Sequence, residues 1–485
     1  MAADLKTTAP EPKLCVVCYD QPRSVVLTVC GHALLCQPCL ERVVLLAAAP
    51  KCPLCATAVP PVPGAWRPLA AASALAPAAT YTPTAVDPVV ASAARSVQQP
   101  DAADELALLR AAVQRGVAPV GALLSRAARL GAEDVVRLLV AERGADPNSL
   151  DERGLAPLAR AAFAGHVGCV RALVELGANV ACADNVGSEP LHDAARRGHV
   201  DCVRVLVELG ADVACADNTG FQSLHNAARR GHVDCVRVLV ELGADVACAD
   251  NVGAEPLHYA ASRGQSNCVR ALVELGANVA CADNDGCKPL HDAARGGHVD
   301  CVRALVELGA DVACADNTGF QALHCAAQNG HADCVRALVK LGADVACVSN
   351  VGVKPLHSAA LLGHADCVRV LVELGADVAC ADNDGTKPLH CAAQEGHTDC
   401  VRALVELGAD VTCASNAGLK PLHSAALKGH IDCVRALIEL EAMLCSAQVH
   451  SDSVPLLRHT FGKHHTVFLA IAVVICAVLL RLLLR

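Results

Sequence analysis

The segment "PLHDAARRGHVDCVRVLVELGADVACADN", residues 190–218, decides the fold of this chain of 485 residues. Pro190 suits the first turn of a short helix, because the N–H that proline lacks would have no helical partner there. Gly198 predicts the end of that helix, and apolar residues spaced by three and four predict a second helix over residues 200–209. Gly210-Ala-Asp then predicts a turn. Two such helices cannot bury their apolar faces alone, so neighbouring copies must stack on one another.

The same segment recurs with a period of 33 residues. Its Leu-His pair ends at His192, His225, His258, His291, His324, His357, His390 and His423. Ala159 takes the place of the histidine in an earlier copy, and residues 123–148 fit one step earlier still. Counted in this way, the chain has nine full copies after a degenerate opening copy. In the last copy Gly-Ala-Asp becomes Glu441-Ala-Met, which predicts that the array stops there.

A 33-residue period with the pattern Pro-Leu-His-x-Ala-Ala resembles the ankyrin repeat. The resemblance implies an all-α solenoid of helix-turn-helix-hairpin units over residues 104–445. Ankyrin repeats usually have Thr before Pro-Leu-His, whereas this chain has Glu, Gln or Lys in that place, as at Glu189. Because the hydroxyl cap is missing, we expect frayed starts of the first helices.

The composition agrees with thin helical layers. Apolar residues make up 53% of the chain but aromatic residues only 2%, so the core must consist of Ala, Val, Leu and Cys. The net charge of −10 argues against a nucleic-acid partner, because phosphate binding requires a concentrated basic surface. The opening MAADLKTTAPEPK has no apolar run, and together with 29 cysteines this predicts a reducing compartment.

Cysteines and histidines recur at fixed places in each copy, for example Cys202 and Cys215. A row of thiols is compatible with metal or redox chemistry, but the helical spacing favours cysteine as a small core residue. The Leu-His and Gly-His histidines, such as His192 and His199, are similar to the structural histidines of ankyrin repeats. The resemblance implies that they bond the backbone between repeats and are not metal ligands.

Residues 13–58 concentrate potential metal ligands in the order Cys-x2-Cys-x11-Cys-x-His-x3-Cys-x2-Cys-x12-Cys-x2-Cys. These are Cys15, Cys18, Cys30, His32, Cys36, Cys39, Cys52 and Cys55. Eight soft ligands suffice for two closed tetrahedral zinc sites, which would be structural because no position is left open to water. So short a region needs bound metal for stability. A zinc ribbon and an unmetallated segment remain as alternatives.

The ligand order resembles the RING finger, with a His-x3-Cys spacing similar to that of inhibitor-of-apoptosis and mind bomb proteins. The resemblance implies a small zinc-stabilised α+β domain with two cross-braced zinc ions. Cys15, Cys18, Cys36 and Cys39 would hold one ion, and Cys30, His32, Cys52 and Cys55 the other.

RING fingers commonly act as ubiquitin ligases that hold a ubiquitin-charged conjugating enzyme and use no nucleophile of their own. The resemblance implies that Val17, Leu40 and Pro53 form the apolar face that receives this enzyme. Ala56 departs from the pattern, because an Arg that bridges enzyme and ubiquitin often stands there. A RING that serves only for assembly or dimerisation therefore remains an alternative.

Basic residues follow the first helices of the early copies. They are Arg196, Arg197, Arg229, Arg230, Arg263 and Arg295. Ankyrin arrays bind proteins on the concave face made by hairpin tips and first helices. A row of arginines on that face predicts that the array binds an acidic peptide of a protein substrate. The alternative is solvated charge on recently duplicated units. Copies 191–218 and 224–251 differ at one residue, Asp193 against Asn226.

Two further segments complete the organisation. Residues 59–103 are rich in Pro and Ala without helical or strand period, which predicts a disordered linker. Residues 446–465 form a polar spacer, and 466–484 are almost wholly apolar. With Arg481 snorkelling, a helix of 466–484 spans about 28 Å, close to the hydrocarbon thickness of a bilayer.

We therefore expect a single-pass tail anchor with a cytosolic N-terminus. Basic residues on both sides of a short span resemble anchors of the mitochondrial outer membrane, with the endoplasmic reticulum as the second choice; a buried terminal helix is the alternative. Two functions remain open at this point. One is a membrane-anchored RING-type ubiquitin ligase, and the other is a non-enzymatic ankyrin adaptor whose RING is structural only.

Overall fold

The computed structural model describes residues 25–27, 66–68, 102–116, 119–151 and 153–451. The chain divides into two compact units, residues 1–118 and 119–485. In the first unit, strand β1 (Val25–Leu27) pairs antiparallel with β2 (Trp66–Pro68), and helix α1 spans Ala102–Arg115.

Strand β2 lies within the segment 59–103, for which the sequence predicts no strand. The difference has a local reason, because the residue before a proline is restricted to extended conformations, as in Arg67-Pro68. The partner strand Val-Val-Leu is rich in β-branched residues, which favour pairing.

Helix pairs make up the described part of the second unit. They are α2 (Val120–Leu130) with α3 (Glu133–Ala141), α4 (Pro157–Ala164) with α5 (Val167–Glu175), α6 (Pro190–Arg197) with α7 (Val200–Glu208), α8 (Ser223–Arg230) with α9 (Val233–Glu241), α10 (Pro256–Ser262) with α11 (Ser266–Glu274), α12 (Pro289–Arg295) with α13 (Val299–Glu307), α14 (Ala322–Gln328) with α15 (Ala332–Lys340), α16 (Pro355–Leu361) with α17 (Ala365–Glu373), α18 (Pro388–Glu395) with α19 (Thr398–Glu406), and α20 (Pro421–Lys428) with α21 (Ile431–Ser451). First helices pack on first helices and second helices on second helices. The all-helical ankyrin solenoid predicted from the period is confirmed.

Glycines end the helices where the pattern predicts. Gly198 has φ 78° and closes α6 by donating its backbone N–H to the carbonyls of the last turn. Gly210, with φ 100°, turns the chain after α7. Both conformations lie in the left-handed region, which glycine adopts without steric cost. The core beneath them consists of Leu, Val, Ala and Cys, as the aromatic-poor composition predicts.

The first helices have a cap that the expectation of frayed starts did not include. The backbone N–H of Glu189 donates to Nδ1 of His192 at 3.0 Å, and Nε2 of that ring donates to the carbonyl of Phe221 in the next repeat, also at 3.0 Å. The same pair of bonds recurs at His225, His258, His291, His324, His357 and His390. A ring nitrogen thus pairs the backbone N–H of the residue before the helix, a different group from the N–H that a hydroxyl cap would accept.

Exposed ion pairs connect the second helices of neighbouring repeats. They are Arg137–Glu175, Arg171–Glu208, Arg204–Glu241, Arg237–Glu274, Arg270–Glu307, Arg336–Glu373, Arg369–Glu406 and Arg402–Glu439, at 2.7–3.5 Å. This series of ion pairs is interrupted at one of the described repeats. Lys340 stands where the other copies have Glu, so Arg303 has a lysine at the position of its expected partner.

The last helix runs through residue 445, where the sequence predicts the end of the array, to Ser451. The reason is that Glu441 replaces the glycine that ends the other second helices. Among the helices of the described ranges, none is long and apolar enough to cross a membrane. The predicted anchor at 466–484 lies outside the described residues.

Candidate functional site

The predicted zinc ligands and the predicted conjugating-enzyme face lie outside the described residues. They are Cys15, Cys18, Cys30, His32, Cys36, Cys39, Cys52 and Cys55 for zinc, and Val17, Leu40 and Pro53 for the enzyme. Their assignment stays a prediction. The donor set fits zinc by its chemistry, because seven thiols and one imidazole are the soft and borderline ligands that structural zinc prefers.

Most cysteines of the repeats are buried core residues, as predicted, whereas Cys182, Cys215 and Cys391 are half-buried. Cys202 and Cys268 on the second helices are fully buried, and burial raises the pKa of these thiols to about 11 and about 12. A thiol held neutral is a poor metal ligand and a poor nucleophile. Within residues 102–116, 119–151 and 153–451, no group of three or more metal-binding side chains comes together.

The histidines of the repeats are structural as well. His199 Nε2 bonds the carbonyl of Phe163 at 3.1 Å, in the manner expected for a Gly-His histidine. The Leu-His histidines other than His423 are buried. Burial lowers the pKa of His225, His258, His291, His324, His357 and His390, that of His324 to about 4. These rings are neutral at pH 7, which their role as acceptors at Nδ1 requires.

The arginines predicted to hold a substrate all lie at the ends of first helices. Arg196 and Arg197 end α6, Arg229 and Arg230 end α8, Arg263 follows α10, and Arg295 ends α12. The structure therefore brings them onto one side of the stack, one repeat after another.

Three of these arginines are engaged by the protein itself. Arg196 forms an ion pair with Asp193, which is 3% exposed, and Arg295 pairs with Asp292 at 2.9 Å. The guanidinium of Arg197 stacks on the ring of Phe163, with 3.9 Å between its central carbon and the ring centroid. Their charges are thus partly satisfied within the repeat.

For Arg229, Arg230 and Arg263, no ion pair and no stacking on an aromatic ring is found among the residues that the structure describes. Asn226 occupies the place of Asp193, and Tyr259 occupies it in the next repeat. Arg229 therefore lacks the carboxylate that Arg196 has, whereas Arg230 and Arg263 occupy the place of Arg197, which has no aspartate partner either. Burial, together with the positive charges of Arg263 and Arg230, lowers the pKa of the Arg229 guanidinium.

Arg229 and Arg263 line an open cleft of about 540 Å³ between two repeats, hereafter the 229–263 cleft. Its apolar wall is formed by Phe221 and Tyr259, whose rings meet edge to face at a centroid distance of 4.5 Å. The hydroxyl of Tyr259 donates to Asp250 Oδ2 at 2.6 Å. Sequence reasoning identified the arginines but missed the two aromatic residues. The sequence signal that could have located this cleft is the change from Asp193 to Asn226, which in the sequence alone is only a difference between duplicated copies.

Comparison with protein families gives two matches. Ankyrin repeats (3 copies) match over residues 124–217, 187–250, 224–316, 280–348, 313–382 and 374–448, which together cover most of the chain. The zinc finger of C3HC4 type (RING finger) matches residues 11–62. This second range contains all eight predicted zinc ligands.

Among solved structures, the chain is similar to the human ASB11 ankyrin repeat domain. The two are 29% identical, the match covers 46% of this chain and 99% of the other, and the TM-score is 0.42. A search of curated proteins gave no match.

Proposed function

This chain belongs to the ankyrin-repeat proteins and carries a RING finger, and from that pairing we propose that it is a RING-type ubiquitin-protein ligase. A RING finger implies bound zinc, and the repeats imply binding of proteins. The observation that supports the proposal most strongly is the presence of all eight ligands within the matched residues 11–62, on the same chain as a long protein-binding array.

In this proposal the RING holds two zinc ions through the ligand set given above. Zinc would act as a structural clamp, because four protein ligands per ion leave no coordination site for water or substrate. Val17, Leu40 and Pro53 would contact the conjugating enzyme, and the ankyrin array would hold the protein that receives ubiquitin. The chain itself contributes positioning and no nucleophile.

Autoubiquitination of the purified full chain tests the ligase activity. We expect ubiquitin chains with the unmodified protein, and their loss in Pro53→Ala, which alters the enzyme-binding face without touching a zinc ligand. Zinc content, measured by mass spectrometry, should stay at two ions in Pro53→Ala and fall in Cys15→Ala. Chains of equal yield from Pro53→Ala would contradict the proposed face.

Ala56 favours a second candidate, an ankyrin adaptor whose RING is structural only. Two bound zinc ions without ubiquitin chains, across a panel of conjugating enzymes, would support this adaptor. The Ala56→Arg variant supplies a matched comparison, because it restores a hydrogen-bond donor where RING ligases often have one. A rise in chain formation in Ala56→Arg indicates that the domain already holds the enzyme.

We also propose that residues 466–484 anchor the protein in a membrane, with the outer mitochondrial membrane as the first choice and the endoplasmic reticulum as the second. The support is the apolar sequence of that segment and its length. A fluorescent protein fused to residues 458–485 should label membranes. Ile475→Arg should release it, since a central Arg costs about 3 kcal/mol on insertion scales, whereas Ile475→Val should not. Diffuse signal from the unmodified fusion refutes the anchor.

A further inference from the structure

The 229–263 cleft lies where the early copies of the repeat stop being identical. Asn226 stands where the preceding copy has Asp193. Tyr259 and Ser262 stand where the following copy has Asp292 and Arg295. Gln265 replaces the Gly-His histidine, and its amide donates to the carbonyl of Arg263 at 3.3 Å. Tyr259 and Ser262 line the cleft and Asn226 lies one helical turn before Arg229, so the substitutions surround one place.

One of these differences, Asn226, leaves the positive charge of Arg229 without an ion-pair partner among the described residues. An Asp three residues before the arginine holds it in an ion pair, as Asp193 holds Arg196 and Asp292 holds Arg295. Asn226 offers no charge to Arg229, so the guanidinium keeps its donors for another partner. Its charged neighbours Arg230 and Arg263 are of the same sign, which makes an anionic ligand more favourable.

The residues that line the cleft indicate two further properties of the ligand, an apolar group beside the anion and a single negative charge. Phe221 and Tyr259 present an apolar surface beside the two guanidinium groups. Asp250, which also lines the cleft, already accepts the Tyr259 hydroxyl and the backbone N–H groups of Val252 and Ala254. Its negative charge disfavours a dianionic phosphate more than a singly charged carboxylate.

We propose that the 229–263 cleft binds an acidic side chain of a partner protein, with Arg229 and Arg263 on the carboxylate and an adjacent aromatic residue of the partner against Phe221 and Tyr259. This inference rests on the proposed protein-recruiting function of the array and specifies the class of peptide it takes. Bidentate guanidinium–carboxylate bonds in a partly buried cleft provide both affinity and orientation.

Fluorescence anisotropy with the full chain tests the proposal. The probe is a fluorescein-labelled peptide with Asp on each side of a central Phe, in a Gly-Ser context. An amide analogue has Asn for each Asp, and a phosphorylated analogue has phosphoserine. We expect the Asp probe to bind at least about tenfold more tightly than the Asn analogue, and more tightly than the phosphoserine analogue.

Variants of the protein separate the cleft from general surface charge. Arg229→Gln with Arg263→Gln should weaken binding about 10- to 100-fold. The matched control, Arg196→Gln with Arg295→Gln, removes the same charge from arginines that already have aspartate partners and should change affinity less than about twofold.

The sharpest variant is Asn226→Asp, which keeps every arginine and supplies the ion-pair partner found in the preceding copy. It should weaken the Asp probe about tenfold while leaving the thermal unfolding midpoint within error. No binding by the unmodified chain, equal binding of the Asn analogue, tighter binding of the phosphoserine analogue, or equal losses in the two double variants each overturn the proposal. Autoubiquitination does not require the cleft, so a chain that is active as a ligase but ignores the probe refutes this inference alone.

Discussion

Replacing His324 separates two roles of the Leu-His histidine. Its ring is fully buried, Nδ1 accepts the backbone N–H of Gln321 at 3.1 Å, and Nε2 donates to the carbonyl of Val353 at 3.0 Å. The first bond caps the start of α14, and the second connects that repeat to the next. His324→Asn keeps a short acceptor for the first bond but cannot reach the second, and His324→Ala loses both.

The expected losses follow from the hydrogen bonds that each variant removes and from any group that it leaves unpaired. A buried backbone group without a partner costs about 1–3 kcal/mol. His324→Asn loses one of the two donors to the carbonyl of Val353, which keeps the backbone N–H of Ser349 at 2.9 Å, so it should destabilise the array by about 0.5–1.5 kcal/mol. His324→Ala also strands the N–H of Gln321 and leaves a cavity, so we expect about 3–5 kcal/mol.

Acid should reduce the difference in stability between the unmodified protein and His324→Ala, because the pKa of His324 is lower in the folded chain than in the unfolded chain. Burial lowers the pKa of His324 from 6.5 to about 4, so between these values the unfolded chain binds a proton that the folded chain does not. The stability that the neutral ring confers is complete above pH 6.5 and is lost as the pH falls through 4. The change amounts to about 3 kcal/mol. The gap between the unmodified protein and His324→Ala should therefore shrink from pH 7 to pH 4.

Urea unfolding followed by circular dichroism at pH 7, 5.5 and 4 measures these effects. Because a repeat array need not unfold in one step, hydrogen exchange of the amides in α14 should accompany it. His331→Ala in the same repeat is the control, since His331 Nε2 bonds the carbonyl of Arg295 at an exposed site. A His324→Ala penalty no larger than that of His331→Ala, or one that does not change with pH, would refute the dual role.

Three more outcomes follow from the array. Lys340→Glu should supply the missing ion pair with Arg303 and stabilise the protein by about 0.2–1 kcal/mol at low salt. The gain should be smaller at high salt and absent in the control Lys340→Gln, as measured by the midpoint of urea unfolding. Cys268 should resist iodoacetamide at pH 7.5 until the chain unfolds, because its buried thiol has a pKa of about 12; rapid native-state alkylation by mass spectrometry would contradict this. Gly276→Ala should cost about 1 kcal/mol or more in thermal unfolding, because its φ of 103° strains any residue with a Cβ, although the space around that position is open.

The sequence predicts the helices and turns well because the residues that start and end each helix lie within the same copy. Pro190 and Gly198 limit the first helix in any context, and the period of 33 requires that neighbouring copies stack. The helix caps could not be predicted from the residue before Pro-Leu-His. The acceptor is supplied by His192 three residues later, and its tautomer is fixed by a carbonyl in another repeat.

The candidate binding site was predictable only in part, for a related reason. The arginine row is visible in the sequence, but whether an arginine is available depends on the residue one helical turn before it. Asp193 and Asn226 differ by one functional group, and that group decides whether the guanidinium is held by the repeat or free to hold a ligand. In an array of near-identical copies the shared residues maintain the stack. Recognition therefore depends on the few positions at which the copies differ, and the 229–263 cleft is where several of these differences meet.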